Sequence, residues 1–365
     1  MFNEVFKNKK VLITGHTGFK GSWLTLWLNA LGAKVIGYSI DVPTKISLFN
    51  TLSLENVIDH NLGDVRSISS FKKIVLKHKP DFIFHLAAQP LVKKSYINPT
   101  ETMTTNILGV NNILDIMRNY DKKCSLVIIT SDKCYDNLEL TRGYHENDIL
   151  GGKDPYSASK GAAELVFKGY FNSFFKDNPI IRIATARAGN VIGGGDWAED
   201  RIVPDCIRAW QKNNTVKIRY PNSTRPWQHV LEPLSGYLIL ASKLYQSKKF
   251  SGESFNFGPD TISDYTVVNL IDELQATFFQ GNIFSNKPYI ADEDPTFHEA
   301  GLLKLDCKKS NKDLDWIPTL NFKETAYFTA FWYREYKRMD PMSITMDQID
   351  NFTDLLLNKP FYNND

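Results

Sequence analysis

The chain has 365 residues, 42% hydrophobic and 23% charged, which suits about two domains of roughly 150 residues and excludes disorder or a fibrous repeat. Forty-three Lys and Arg against 41 Asp and Glu leave +2 with no block of one sign, which argues against a nucleic-acid binder. No apolar run approaches the ~18 residues of a membrane span, 11–13 is too short for a signal core, and four cysteines without metal or CxxC spacing fit a reducing, cytoplasmic setting.

Residues 10–14 (KVLIT) predict a short strand that ends on a glycine turn. Residues 22–31 then place apolar side chains at helical spacing, closed by Gly32. Strands are predicted at 34–38, 81–86, 125–130 and 181–186, and helices at 69–78, 104–120 and 155–167. Short apolar strands separated by helices need crossover connections, so the fold class is α/β, a Rossmann-type doubly wound parallel sheet. After Gly189, glycine, proline and tryptophan cluster at 193–197 and 221–227, and the alternation becomes irregular. The expected division is a cofactor domain over 1–189, receiving segments near 226–258, and a smaller mixed α/β substrate domain over 190–365, interleaved with the first. A helix at 233–244 and a strand at 253–257 are the segments expected to cross back. The polar stretch after Asp340 reads as a mobile tail.

Gly15-His16-Thr17-Gly18-Phe19-Lys20-Gly21 lies between the first strand and its helix. Glycines there let the backbone turn and approach a diphosphate, which free N–H groups and the helix dipole then hold. A chance glycine-rich turn would not need that placement. His16 and Lys20 either add positive charge beside the diphosphate or are solvated loop residues. The acidic residue expected at the end of the second strand is replaced by Ser39, with Asp41 two positions on, so this position leaves NAD and NADP both open.

Tyr156 and Lys160 stand at i and i+4 on a predicted helix, hence on one face. An ammonium near a phenol favours phenolate, a base able to take a hydroxyl proton. Ser131, Asp132 and Lys133 follow the predicted strand at 125–130, at the carboxyl end where parallel sheets bind ligands. Trp23 and Trp27 and the four cysteines are read as packing residues, and no metal site is expected.

The segments VLITGHTGFKGSWL, HLAAQPLV, ITSDKCYDN, DPYSASKGAAELV, ARAGNVIGGGDWAEDRIVPD, RPWQHVLEPLSGYL and HEAGLLKLDC together resemble the nucleotide-sugar 4,6-dehydratases of the extended short-chain dehydrogenase/reductase superfamily. The resemblance runs from residue 11 to 307. It implies bound NAD, CDP-glucose as the substrate, a homodimer or higher homo-oligomer, and a place in deoxysugar biosynthesis such as that of lipopolysaccharide O-antigen. It also implies transient oxidation at sugar C4, with the O4 proton passing to Tyr156, then loss of the C5 proton and of the C6 hydroxyl as water, and return of the hydride at C6.

Asp132 matches the acid that assists water departure, and Ser131 completes the Ser-Tyr-Lys set. Lys133 stands where other dehydratases carry Glu. As a base it must be neutral, and moving its pKa from about 10.4 to 7 takes roughly 4.6 kcal/mol, within the reach of deep burial. The alternative is a charged Lys133 that stabilises the enolate; the residues leave both open. By the same resemblance Gly15, His16, Gly18, Phe19, Lys20, Gly21, Asp64, Val65, Ala87, Ala88, Asn106, Tyr156 and Lys160 contact the cofactor. Gln89, Asn190, Arg219, Arg225 and His298 contact the substrate, with His229 and Glu299 as weaker candidates. A 4-epimerase on this fold, a dehydratase of another nucleotide sugar, and a non-catalytic cofactor sensor are the rival readings; the epimerase has no use for the Asp132-Lys133 pair.

Overall fold

The computed structural model describes residues 2–260, 265–280, 288–291 and 302–359. In chain order the described strands are β1 (Lys10–Thr14), β2 (Lys34–Ser39), β3 (Asp59–Leu62), β4 (Phe82–His85), β5 (Cys124–Ile129), β6 (Ile181–Ala188), β7 (Val191–Ile192), β8 (Val216–Ile218), β9 (Gln228–His229), β10 (Ser254–Phe257) and β11 (Tyr289–Ala291). Seven form one sheet in the order β10-β6-β5-β4-β1-β2-β3, and every pairing in it is parallel. β7 pairs with β9, and β8 with β11, in two small sheets.

A parallel sheet is covered on both faces, so its central strands read as unbroken apolar runs. β4 and β5 are buried throughout. Alternate residues feed two layers. Val11, Ile13, Phe82 and Phe84 pack with the helices Phe19–Ala30 and Leu231–Gln246; Leu12, Ile83, Leu126 and Ile128 pack with Ile68–His78, Gly109–Arg118 and Pro155–Tyr170. Trp23 and Trp27 are buried in the first layer, and all four cysteines are unpaired thiols. β10 joins the sheet beside β6, through pairs such as Asn256 with Arg187, so the chain returns to its first half after residue 250.

Three segments differ from the sequence expectation. The first helix begins at Phe19, inside the glycine loop, because Gly18 takes the extended N-cap position. β3 escapes the apolar-run criterion because its sequence, DHNL, is an exposed-to-half-buried edge strand. The stretch after Asp340 is not a loose tail: Pro341–Leu357 is a helix, capped by Asp340, whose carboxylate accepts the Ser343 N–H at 3.0 Å. Its apolar stripe is narrow, with Ile344, Ile349, Phe352 and Leu356 buried in the core and Met342 and Met346 packed partly buried against it, and this is why the segment reads as polar. The Phe352 ring meets Trp27 edge-on with centroids 5.8 Å apart.

Phe352→Ala is therefore expected to cost about 3–5 kcal/mol in denaturant unfolding, as for a buried aromatic. A loss under about 1 kcal/mol would mean that this helix does not contribute to the core.

Candidate active site

The strand order reverses between β1 and β4, so the loops leaving their carboxyl ends diverge and open a crevice. The chain closes the floor of that crevice with backbone. Thr14 Oγ1 lies 2.9 Å from His85 Nδ1 and accepts the Ala87 N–H at 3.2 Å. Gly15 has a φ of +76°, and a Cβ there would lie 2.9 Å from the Ala87 nitrogen. A Cβ at Gly21 would overlap the Gly15 carbonyl oxygen. With Gly18 as N-cap, no side chain caps the first turn of the helix, which leaves its N–H groups for an anion. The cleft above has a volume of about 1760 Å³, and its wall includes the glycine loop, Asp64, Val65, Ala87 and Ala88. This donor set fits a dinucleotide diphosphate.

Several expected contacts are organised differently. His16 does not line the cleft. Its ring is buried beneath the loop, against Gly37, where a Cβ would overlap it. It bonds Ser39 Oγ at 2.8 Å and His60 Nδ1 at 2.7 Å. Burial, with His60 beside it, lowers its pKa to about 3, so it brings no positive charge to a diphosphate. Asn106 is likewise buried, its amide taken up by the Gln89 backbone and by Ser159 Oγ at 2.8 Å. It ties the 87–89 run to the next helix instead of facing a cofactor. Gln89 lines the cleft, but both its amide hydrogens go to Leu91 O and Thr102 Oγ1. His229 is buried between Trp23 and Phe328. His298 and Glu299 lie outside the described residues. Asp64 is held by Arg66 with Nη2 at 2.6 Å. Asn190, in the left-handed region at φ 50°, and Arg219 and Arg225 line the far side of the cleft.

The helix Pro155–Tyr170 starts where Asp154 caps it, accepting the Ser157 N–H at 3.0 Å, and Pro155 needs no partner in the first turn. Tyr156 and Lys160 then share its inner face, with Lys160 Nζ 5.9 Å from the Tyr156 ring centre. Opposite them, Ser131 caps a single turn, Asp132–Cys134: its Oγ accepts the Lys133 N–H at 3.2 Å and donates to Asp132 Oδ1 at 2.8 Å. Asp132 is buried, and its Oδ2 has no hydrogen-bond partner. Lys133 is half-buried at the cleft wall. Burial pushes the Tyr156 phenol up to about 12, with Asp132 adding to this and Ser131 and Arg201 opposing it. Burial lowers Lys160 to about 8. It lowers Lys20 further, to about 7, aided by Arg201 and Lys160 and opposed by Asp132. Lys20 thus belongs to the same electrostatic cluster as the tyrosine and the acid.

Two residues of this cluster had no role assigned from the sequence. Arg201 lines the cleft, bonds Asp196 Oδ2 at 2.7 Å, and is coupled to Tyr156. Its signal was the DWAEDR run, where an acid and an arginine five residues apart can fold back on each other. Gly189 is the second: a Cβ there would sit on the Asp132 carboxylate, so the glycine makes the acid's place. Among the described residues, no group of three or more His, Cys, Asp or Glu could hold a metal ion, and no helix is long and apolar enough to cross a membrane.

Solved structures share this fold. A dTDP-glucose 4,6-dehydratase from Streptomyces venezuelae, solved with NAD, superposes with a TM-score of 0.76 at 21% identity, covering 91% of this chain and 99% of that one. A UDP-glucose 4-epimerase from Thermotoga maritima gives 0.77 at 21%, over 90% and 100%. Fold alone therefore does not separate the two chemistries. In sequence, a CDP-glucose 4,6-dehydratase from Salmonella typhimurium is 45% identical over 93% of this chain and 94% of its own length. The profile of the GDP-mannose 4,6 dehydratase family matches residues 12–328, and with the glycine cradle, the Tyr156-Lys160 face and the Asp132 turn all inside that span, the chain belongs to this family.

Proposed function

We propose that the protein is an NAD-dependent hydro-lyase that converts CDP-D-glucose to CDP-4-dehydro-6-deoxy-D-glucose and water. The observation that carries this is the buried Asp132 turn facing Tyr156 and Lys160 across one cleft, beside 45% identity to a CDP-glucose 4,6-dehydratase. A 4-epimerase would need only the tyrosine side.

On this reading the Gly15–Gly21 loop, Asp64-Val65 and Ala87-Ala88 hold NAD, and Asn190, Arg219 and Arg225 hold the substrate diphosphate, to which a forked guanidinium is suited. The first half, to residue 189, serves the cofactor and the rest the nucleotide sugar. NAD held there would supply a reversible hydride acceptor for the oxidation at C4 and the reduction at C6. Tyr156 takes the O4 proton. Bringing its pKa from about 12 to near 7 takes roughly 7 kcal/mol at 1.36 per unit. Cations beside the phenol, Arg201 and Lys160 among the protein's own, work in this direction by favouring the phenolate. With the C4 ketone formed, a base removes the C5 proton. Asp132 protonates the C6 hydroxyl through the unpartnered Oδ2, and water leaves. A proton then returns to C5, so atoms and electrons balance without net redox. Lys133 faces this step as the base or as the cation on the enolate.

Leu108, Leu165 and Phe174 are exposed on neighbouring helical segments bridged by Tyr170 Oη and Asn111 at 3.1 Å, which supports pairing of two copies there. Four unpaired thiols support a cytoplasmic enzyme, and the product suits deoxysugar supply for a surface polysaccharide such as the O-antigen of lipopolysaccharide.

Purified protein incubated with CDP-glucose and NAD should give a product lighter by one water in mass spectrometry. An unchanged mass would refute dehydration, and turnover of only UDP-, dTDP- or GDP-glucose would move the assignment to that nucleotide. Gly189→Ala should displace the Asp132 carboxylate and lower turnover about 100-fold or more with NAD affinity retained, measured by titration of cofactor fluorescence. Lys133→Ala should slow exchange of the C5 proton with solvent deuterium; exchange at the wild-type rate would exclude Lys133 as the base.

A further inference from the structure

Behind the cleft lies a buried ion pair that none of the proposed steps uses. Glu164 and Arg187 are both inaccessible to solvent, with Arg187 Nε 3.0 Å from Glu164 Oε1 and Nη2 2.7 Å from Oε2. Glu164 sits one turn beyond Lys160 on the helix that carries Tyr156. Its carboxylate also accepts Thr130 Oγ1 at 2.5 Å, and Thr130 is the residue before Ser131. Arg187 Nη1 donates to the Tyr135 hydroxyl at 2.8 Å, and Tyr135 is the residue that follows the Asp132–Cys134 turn. The Tyr135 hydroxyl in turn donates to Asn256 Oδ1 at 2.7 Å, on β10.

The pair therefore grips the turn at both ends and the catalytic helix at once. Within the turn, the side-chain bonds are local: Ser131 to Asp132, and the Lys133 N–H to Ser131. Ser131 also interacts with the Tyr156 side chain, one contact at the start of the turn, and the ion pair adds the bonds that hold both flanks. A buried ion pair is weak evidence for stability, because desolvation offsets much of the Coulomb gain and apolar replacements of the whole pair are often neutral. What it does provide is geometry, since a bidentate guanidinium–carboxylate pair tolerates few arrangements.

We propose that Glu164 and Arg187 are positioning residues that set the Asp132-Lys133 turn in register with Tyr156, so that one bound sugar meets oxidation at C4 and elimination at C5–C6 without moving. This rests on the dehydratase reading. Misplacing the turn should slow elimination, which depends on Asp132 and Lys133, far more than oxidation, which meets the turn only at Ser131 and otherwise depends on Tyr156 and Lys160 on a well-capped helix.

The test uses the NAD-loaded full chain. Tyr135→Phe removes the hydrogen bond from Arg187 to the residue after the turn without changing any charge, leaving the ring under the guanidinium, and the double variant Glu164→Gln/Arg187→Met removes the pair as a unit. In single turnovers with CDP-glucose, the 340 nm absorbance of reduced cofactor rises with C4 oxidation and decays as the hydride returns at C6. In both variants the rise should stay within about threefold of wild type, while the decay slows about tenfold or more, the scale expected for a misplacement well under 1 Å. Amide exchange across 130–135 should quicken while the unfolding midpoint of Tyr135→Phe stays near that of wild type. Rise and decay both unchanged, or both lowered in proportion to the folded fraction, would overturn the proposal and leave the pair a structural one. If the double variant does not fold, Tyr135→Phe decides. If wild-type protein itself fails to dehydrate CDP-glucose, the dehydratase reading falls, and unaltered exchange at 130–135 in Tyr135→Phe would still refute the positioning role separately.

Discussion

Backbone-to-backbone contact at the β1–β4 switch point is the constraint from which the rest follows. The loops after β1 and β4 diverge, but their first residues still leave the sheet side by side. Gly15 gives way: without a side chain, its Cα comes against the Ala87 backbone, and Thr14 fastens the junction through the Ala87 N–H. Gly21 then lets the helix start directly on the loop. A cradle for a diphosphate is the by-product of solving this packing problem, because the same closeness leaves N–H groups without partners. The β5 turn and the β6 exit at Gly189 hang from strands registered on this pair.

Around that cradle the protein gathers Lys20, Lys160, Arg201 and Asp132 with Tyr156, largely out of water. Burial alone works against the reaction, since it raises the phenol to about 12. The lowering of Lys160 and Lys20 is the other face of the same desolvation. Cations crowded this closely destabilise one another and await anions. A nucleotide sugar and a dinucleotide, each with a diphosphate, are such anions, so a near-neutral molecule can hold highly charged ligands through a few placed groups.

The sequence made legible whatever lies within one element or one turn. The glycine loop and the Tyr156-Lys160 face depend on spacings of three to four residues, and the parallel sheet depends on short apolar runs. Contacts between distant segments were not legible: Gly189 makes room for Asp132 across more than fifty residues, and Arg201 meets Tyr156 across a similar distance. His16 was misread because a polar residue in a phosphate loop suggests exposure, whereas Gly37, one strand away, opens a pocket for its ring. Asn106 was misread because an amide near the cofactor run suggests a ligand, whereas all its bonding capacity is internal. The helix Pro341–Leu357 was missed because a narrow apolar stripe suffices when the surface it meets is already built.

Dehydratases and an epimerase share this fold, so the fold itself does not choose between the two chemistries. On the reading proposed above, the group that would add elimination to oxidation sits in one turn after β5. A turn is a cheap place to install an acid, but it is a poor place to aim one, because a three-residue helix has little rigidity of its own. The acid's direction must come from outside, from Gly189 making room on one side and from buried partners of Thr130 and Tyr135 on the other. Gains in reaction scope on a shared scaffold then depend less on the arrival of a new acid than on the buried contacts able to hold it against a helix already in place.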